Sequence, residues 1–275
     1  MTTLIAWVSY QNKKPFALNF ASDSRFTWGT EQVRWDSGRK IFWCKRGVEI
    51  FGYAGDVLTQ SNILSQLCEV VDYSGNIIAM NSHDRHAAFI DLVRASVDEQ
   101  LGVPKRGMTI FHGTRSDEEG SFPFRVWKTS FDKKNGTWSD NEHIFPSELD
   151  VSENNKTVYP KLALAAGSGA RTFRSRRDEN FSKYGCTARS IFHSLVQAIG
   201  QSGDPLSGEP AQAVTLGLDG SPKPVGFSMN NSCSLAGMVF GEAAAGGDVD
   251  WRDENFEYIN PSNLKRRSGA PKHWF

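Results

Sequence analysis

The chain has 275 residues, enough for one large domain or two small ones, and its 39% apolar, 23% charged and 12% aromatic content is ordinary for a globular protein. Its 31 basic and 31 acidic residues cancel, so no long-range field favours nucleic acid or an anionic membrane surface, and neither is expected as a partner. No apolar run approaches the roughly 20 residues that span a bilayer, and Met1 to Tyr10 has neither the basic start nor the cleavage site of a signal peptide.

Thr3 to Ser9 is rich in β formers, Gln11 to Lys14 is a polar turn, and Phe16 to Ala21 completes an opening hairpin. Lys40 to Cys44 and Val48 to Gly52 form a second hairpin around Lys45-Arg46-Gly47. The period then changes: Val57, Ile63, Leu64, Leu67, Val70 and Val71 share one helical face. A second helix runs from about Asp84 to Leu101, with Ser82 as its cap and Gly102 and Pro104 as its stop. Strands return at Met108 to His112, Phe124 to Thr129 and around Thr137, with a turn at Lys134-Asn135-Gly136. Phe145 to Asn155 reads as loop, and Tyr159 to Ala166 as an apolar strand. One long helix fits Cys186 to Ile199, and Gln212 to Leu218 with Val225 to Ser228 make a late hairpin. Helices grouped in blocks argue against a doubly wound parallel sheet. They fit an α+β fold with two stacked antiparallel sheets and helices outside. Residues 1–245 form the expected main domain, and 246–275 a polar C-terminal extension that docks on the surface or on a neighbour.

Several short pieces lie at the ends of these elements. Thr2-Thr3-Leu4-Ile5-Ala6 opens the first strand, and Asp23-Ser24-Arg25 ends the second. Lys40-Ile41 opens the third, and Phe51-Gly52-Tyr53-Ala54-Gly55-Asp56 leads into the first helix. Ala165-Ala166-Gly167-Ser168-Gly169 follows a strand, and Asp204-Pro205-Leu206-Ser207-Gly208 follows the late helix. In this order, over residues 2–228, they resemble a mature proteasome β-subunit, an N-terminal-nucleophile hydrolase of the bacterial proteasome-like family.

The resemblance implies a four-layer αββα sandwich and a threonine-type peptidase that cuts amide bonds through an acyl-enzyme on Thr2 after Met1 is removed. It implies Thr2, Asp23, Lys40, Ser168, Asp204 and Ser207 as catalytic residues, Gly52 as oxyanion donor, and Arg25, Gly167 and Gly169 in support. Ile50 and Ala54 would neighbour the substrate pocket. The chemistry is coherent. A threonine hydroxyl needs a base to take its proton, and a free α-amine titrates at about 7.7–8.0. A lysine cation favours the neutral amine, and a buried lysine needs a carboxylate such as Asp23. No cofactor and no metal is expected. The implied partners are a peptide or unfolded-protein substrate, further copies in a homo-oligomeric ring, and an ATPase unfoldase. Two rivals stay open: an amidohydrolase acting on a small-molecule amide, and a non-catalytic ring subunit.

Other features read as ordinary. His83-x-x-His86 lacks a third metal ligand. Arg171, Arg174, Arg176 and Arg177 read as a solvated or intersubunit face rather than a phosphate cradle. Cys44, Cys68, Cys186 and Cys233 are widely spaced and form no C-x-x-C pair, so they read as thiols of a reducing compartment, and the cytoplasm is the expected location.

Overall fold

The structure is a computed structural model that describes residues 2–28, 33–100, 106–148, 159–200, 206–229, 232–240, 249–260 and 262–270. The chain opens with β1 (Leu4–Gln11) and β2 (Lys14–Ser22), joined through Asn12 and Lys13, both at positive φ. Two short strands, β3 (Phe26–Thr27) and β4 (Arg34–Trp35), precede the hairpin of β5 (Ile41–Trp43) and β6 (Ile50–Gly55). Helices α1 (Val57–Tyr73), α2 (Gly75–Ile78) and α3 (Ser82–Asp98) follow, then β7 (Met108–Arg115), β8 (Phe124–Asp132) and β9 (Thr137–Glu142). The second half holds α4 (Tyr159–Leu162), β10 (Ala163–Ala166), α5 (Ala170–Tyr184), α6 (Ala188–Gly200), β11 (Gln212–Gly217) and β12 (Lys223–Met229). It ends with β13 (Ser232–Leu235), β14 (Met238–Phe240) and β15 (Asp250–Asp253).

Two main sheets form. One has the order β10-β1-β2-β11-β12-β13-β14, with β15 added on β12, and the other β5-β6-β7-β8-β9. Alternation along each strand sends side chains to two different cores. Ile5 and Trp7 of β1 face α5 and α6, against Phe173, Phe181, Phe192 and Leu195. Leu4, Ala6 and Val8 face the other sheet, against Ile50, Phe111 and Val126. Phe51 and Tyr53 of β6, with Ile110 and Phe131, face α1 and α3. The molecule is therefore a mixed α/β protein with two main sheets and three apolar clusters between its sheets and helices.

Several elements differ from the sequence reading. Tyr159 to Ala166 is a single helical turn followed by a four-residue strand, and a proline at position 160 suits a first turn. Between Ser168 and the late loop there are two helices instead of one. Helix α5 buries only Ala170, Phe173, Arg177, Asn180 and Phe181, a narrow stripe on an otherwise polar segment. Its arginines are not simply solvated: Arg177 is buried beside Asp178, and Arg174 donates to the Ala165 carbonyl at 2.9 Å. The cap of α3 is Asn81, which accepts the Asp84 amide, rather than Ser82. In the C-terminal segment, β15 pairs in parallel with β12, and Phe256 joins the core under α6. Among the described residues no helix is long and apolar enough to cross a membrane.

A buried polar chain ties α3 to its sheet. Arg85 Nε lies 2.7 Å from Glu49 Oε1, and His112 Nε2 lies 2.7 Å from Glu49 Oε2. The two Nδ1 atoms of His112 and His86 are 2.9 Å apart, and His86 Nε2 reaches Asp140 at 2.9 Å. Trp127 stacks on both imidazole rings. His83 instead is half exposed and lies near Glu142, so the two histidines of H-x-x-H serve different partners.

Burial, and then the neighbouring His112 ring, push the His86 pKa down to about 4. In the unfolded chain the ring titrates near about 6.5. The folded value lies below the unfolded one, so this contribution to stability is complete above pH ~6.5 and is lost as pH falls toward 4. It amounts to about 3 kcal/mol over that window. Urea melts between pH 7 and pH 4 should show that loss, and His86→Gln should flatten it. An equally steep profile in the variant would assign the dependence elsewhere.

Candidate active site

The intersheet space opens at the start of β1 into a cleft of about 550 Å³. Thr2 lies at its inner end, with Ala54 and Gly55 of β6 and with Gly167 and Ser168 beyond β10. Its floor is the intersheet face of the outer strands. Thr109 of β7, Ser130 of β8, and Thr137 and Ser139 of β9 stand there, while their neighbours Ile110, Phe131 and Trp138 turn to the helices. Thr109 Oγ1 and Ser130 Oγ are 3.0 Å apart.

Thr2 is 1% exposed, and among the described residues its Oγ1 has no hydrogen-bond partner. The turn after β10 holds its backbone. Gly169 N–H donates to the Thr2 carbonyl at 3.3 Å, and Gly167 sits at φ 91°. A Cβ on Gly167 would lie 1.9 Å from the Thr2 carbonyl oxygen, so only glycine admits this approach. The glycine of G-S-G is thus required by contact as well as by conformation.

One residue along lies a buried ion pair. Lys40 Nζ donates to Asp23 Oδ1 at 2.8 Å, and both side chains are fully buried. The same carboxylate accepts the amides of Thr3 (2.9 Å), Arg25 (3.1 Å) and Gly208 (3.2 Å). It therefore joins the end of β2 to the start of β1, the start of β5 and the loop before β11. Ser207 Oγ is 2.9 Å from Thr3 Oγ1 rather than at Thr2. Arg25 clamps Asp36 with two contacts of 2.6 and 3.0 Å and donates to the Ser207 carbonyl at 3.3 Å. Gly208 leaves room for that guanidinium, which a Cβ would meet at 2.4 Å. Asp204 lies outside the described residues.

The structure separates two glycines of β6. Tyr53 N–H donates to the Lys40 carbonyl, and Cys44 N–H to the Glu49 carbonyl. Residues 49, 51, 53 and 55 therefore aim their backbone groups toward β5, and Gly52, opposite Ile41, aims its own toward β7. Gly52 packs under Leu4, whose Cδ1 would be 2.6 Å from an added Cβ, and it does not line the cleft. The expected oxyanion donor is thus turned into the ladder. Gly55 lines the cleft, its backbone edge faces the side where β5 has already ended, and at φ 122° it must be glycine. Of the two expected pocket neighbours, Ala54 lines the cleft and Ile50 lies in the intersheet core.

Sequence reasoning missed Gln212. Its Oε1 accepts the amides of Lys40 (2.8 Å) and Ile41 (3.1 Å), and its Nε2 reaches Ser24 Oγ and the Gly38 carbonyl, each at 2.8 Å. This buried amide fixes the backbone from which Lys40 projects. A single glutamine entering a strand carries no sequence pattern, and only the β2–β11 pairing brings it here.

Two substitutions test these constraints. Gly167→Ala must displace Thr2, and should cost about 2 kcal/mol or more in urea melts. Gln212→Leu strands several buried amide and carbonyl groups and should cost about 3 kcal/mol. Wild-type stability in either variant would contradict the packing described.

No family model matches the chain, and no curated protein matches it. Solved structures do. The Anbu (Gly-1) mutant from Hyphomicrobium sp. strain MC1 is 14% identical with a TM-score of 0.51, covering 82% of this chain and 87% of that one. Anbu (ancestral beta-subunit) from Yersinia bercovieri is 12% identical with a TM-score of 0.51, covering 82% and 86%. Likeness at this identity is a likeness of fold. It corrects the sequence-based assignment to the β-subunit-type hydrolases of the bacterial proteasome-like family, which no family model supports. The short pieces behind that assignment have local causes here: Gly52 makes room for Leu4, Gly167 for Thr2 and Gly208 for Arg25. The fold that the chain shares is that of Anbu, described as an ancestral beta-subunit.

Proposed function

We propose that the chain is an amide-bond hydrolase whose nucleophile is the hydroxyl of Thr2. The observation that carries the reading is the Thr2 Oγ1 atom, buried without a hydrogen-bond partner among the described residues, in a cleft one residue from the Lys40–Asp23 pair. The reading requires cleavage of the Met1–Thr2 bond, because the freed α-amine is the general base. The amine takes the Thr2 proton as Oγ1 attacks the carbonyl carbon of the scissile amide, and then returns it to the leaving nitrogen. The Lys40 cation, held by Asp23, favours the neutral amine and the developing alkoxide. Gly55 N–H, rather than Gly52, is the backbone donor for the oxyanion. Water then attacks the Thr2 ester with the amine again as base, and the acid product leaves. Ser168 lines the same cleft, and Ser207, through Thr3, adds to the polar surroundings of the amine.

The hydroxyl-lined floor suits an extended peptide, whose amide groups it can bond, with the small Ala54 beside the reacting carbonyl. A peptide or unfolded chain is therefore the proposed substrate. The three cores support a helix–sheet–sheet–helix stacking order, the αββα arrangement. Exposed apolar side chains on α1, Leu58 and Tyr73, support self-association into a ring, to which an unfoldase could deliver substrate.

Intact-mass analysis with an epoxyketone probe of N-terminal threonines tests the chemistry. Loss of Met1 and one adduct, absent in Thr2→Ala, is the expected result. Lys40→Met should slow adduct formation by at least ~100-fold, on the order of one electrostatic contact in a transition state. A processed chain that takes no adduct would instead support a non-catalytic subunit.

A further inference from the structure

A second cavity, about 640 Å³, lies at the far end of β1 from Thr2, on the face that packs against α6. Its walls are largely apolar: Tyr10 and Phe16 of the first hairpin, Leu162, Ile191 and Phe256. A hydrolytic role for Thr2 makes no use of it. One group in its wall is out of keeping with the rest. Arg252 of β15 is 7% exposed, and among the described residues no carboxylate lies within ion-pair distance of it. Its guanidinium is stacked 3.5 Å from the Tyr258 ring centroid and 4.1 Å from that of Phe256, and one nitrogen donates to the Phe256 carbonyl at 3.0 Å. Its Nε has no hydrogen-bond partner among the described residues.

The acids nearby are engaged elsewhere. Asp253 accepts the amides of Asn255 and Glu257, and Glu257 pairs with Arg189. Tyr258 hydrogen-bonds to the Arg252 side chain, Asp250 and Asp253 act on it through space, and burial, the largest influence, pushes the Arg252 pKa down. The start of α6 adds to the same wall: Thr187, Ala188 and Arg189 line the cavity, and the first helical bond runs from Ile191 N–H to the Thr187 carbonyl. Thr187 Oγ1 caps the Ser190 amide at 3.1 Å, and the positive end of this 13-residue helix borders the same space as Arg252. The other titratable groups on the wall add no negative charge. Burial raises the Cys186 thiol to about 11 and raises the Tyr10 phenol, whose hydroxyl donates to the Pro146 carbonyl.

A buried cation with no ion-pair partner among the described residues, a helix N-terminus and an apolar chamber call for one kind of occupant. We propose that this cavity binds an apolar molecule carrying a terminal carboxylate, with the carboxylate at Arg252 and the start of α6 and the apolar body against Phe16, Leu162 and Ile191. A free medium-chain fatty acid and the C-terminus of a short apolar peptide share that chemistry. The site is independent of Thr2, so it is tested in Thr2→Ala, which separates its outcome from that of the hydrolase reading.

Isothermal titration of the full-length chain with sodium decanoate, with decanol, and with the dipeptide N-acetyl-Leu-Phe decides the matter. The expected result is saturable one-to-one binding of decanoate or of the dipeptide, at least tenfold tighter than decanol. Whichever acid binds more tightly identifies the source. Arg252→Gln should remove the preference for the acid over the alcohol. Because that variant also removes the packing of Arg252 on Phe256 and Tyr258, Ile191→Trp serves as a second: it narrows the apolar chamber, leaves Arg252 in place, and should weaken both acids at least tenfold. Equal binding of decanoate and decanol, or no binding by a chain with native circular dichroism, overturns the proposal.

Discussion

The carboxylate of Asp23 is the point on which the candidate site rests. It is fully buried, yet it accepts Lys40 Nζ and the amides of Thr3, Arg25 and Gly208, so its charge is compensated from four sides. A buried ion pair is seldom a net source of stability, but removal of one partner costs about 3–5 kcal/mol because the other is left uncompensated. What this pair secures is position. It fixes Lys40, the first residues of β1 and the loop at Ser207 relative to one another, and the Gln212 amide repeats the service from the backbone side. Arg25, clamped to Asp36, closes the arrangement from outside.

Strand alternation does the rest. In β1 it separates Leu4, Ala6 and Val8 from Ile5 and Trp7, and so commits one strand to two cores. In β9 it sets Ser139 toward the cleft and Asp140 toward the buried histidines, one residue apart. The polar chain from Glu49 to Asp140 consequently underlies the cleft floor: what holds α3 in place also holds β7, β8 and β9 in register. The same logic distinguishes Gly52 from Gly55, whose backbone groups leave β6 on opposite edges.

Much of this was legible in the sequence. Both early hairpins, α1, α3 and α6 follow from apolar periodicity and turn residues, because those elements bury broad stripes. Helix α5 was missed for the opposite reason: Phe173 and Phe181, two turns apart, are a sparse signal in a segment rich in arginine. Tyr159 to Ala166 reads as one strand because its residues are apolar, although the proline marks a helical turn. Of the site, the pairing of Asp23 with Lys40 follows from a buried lysine's need for a carboxylate, whereas Gly167 is placed at the site only by the resemblance of its short motif. Gln212 and the choice between Gly52 and Gly55 follow from neither, since they depend on which strands pair and on the parity of a ladder.

The floor of the cleft has a bearing on how such a protein can acquire new preferences. Thr109, Ser130, Thr137 and Ser139 stand on the opposite face from Ile110, Phe131 and Trp138, which pack the helix-side core. Their hydroxyls are small, and none belongs to an apolar core. Under the proposed function, a lineage can therefore rewrite selectivity here by single substitutions that leave folding untouched, whereas a change at Gly167 or Asp23 is paid for at once in the fold. The scaffold divides its own sequence into a part free to drift and a part that must stay, and the boundary between them is one residue wide.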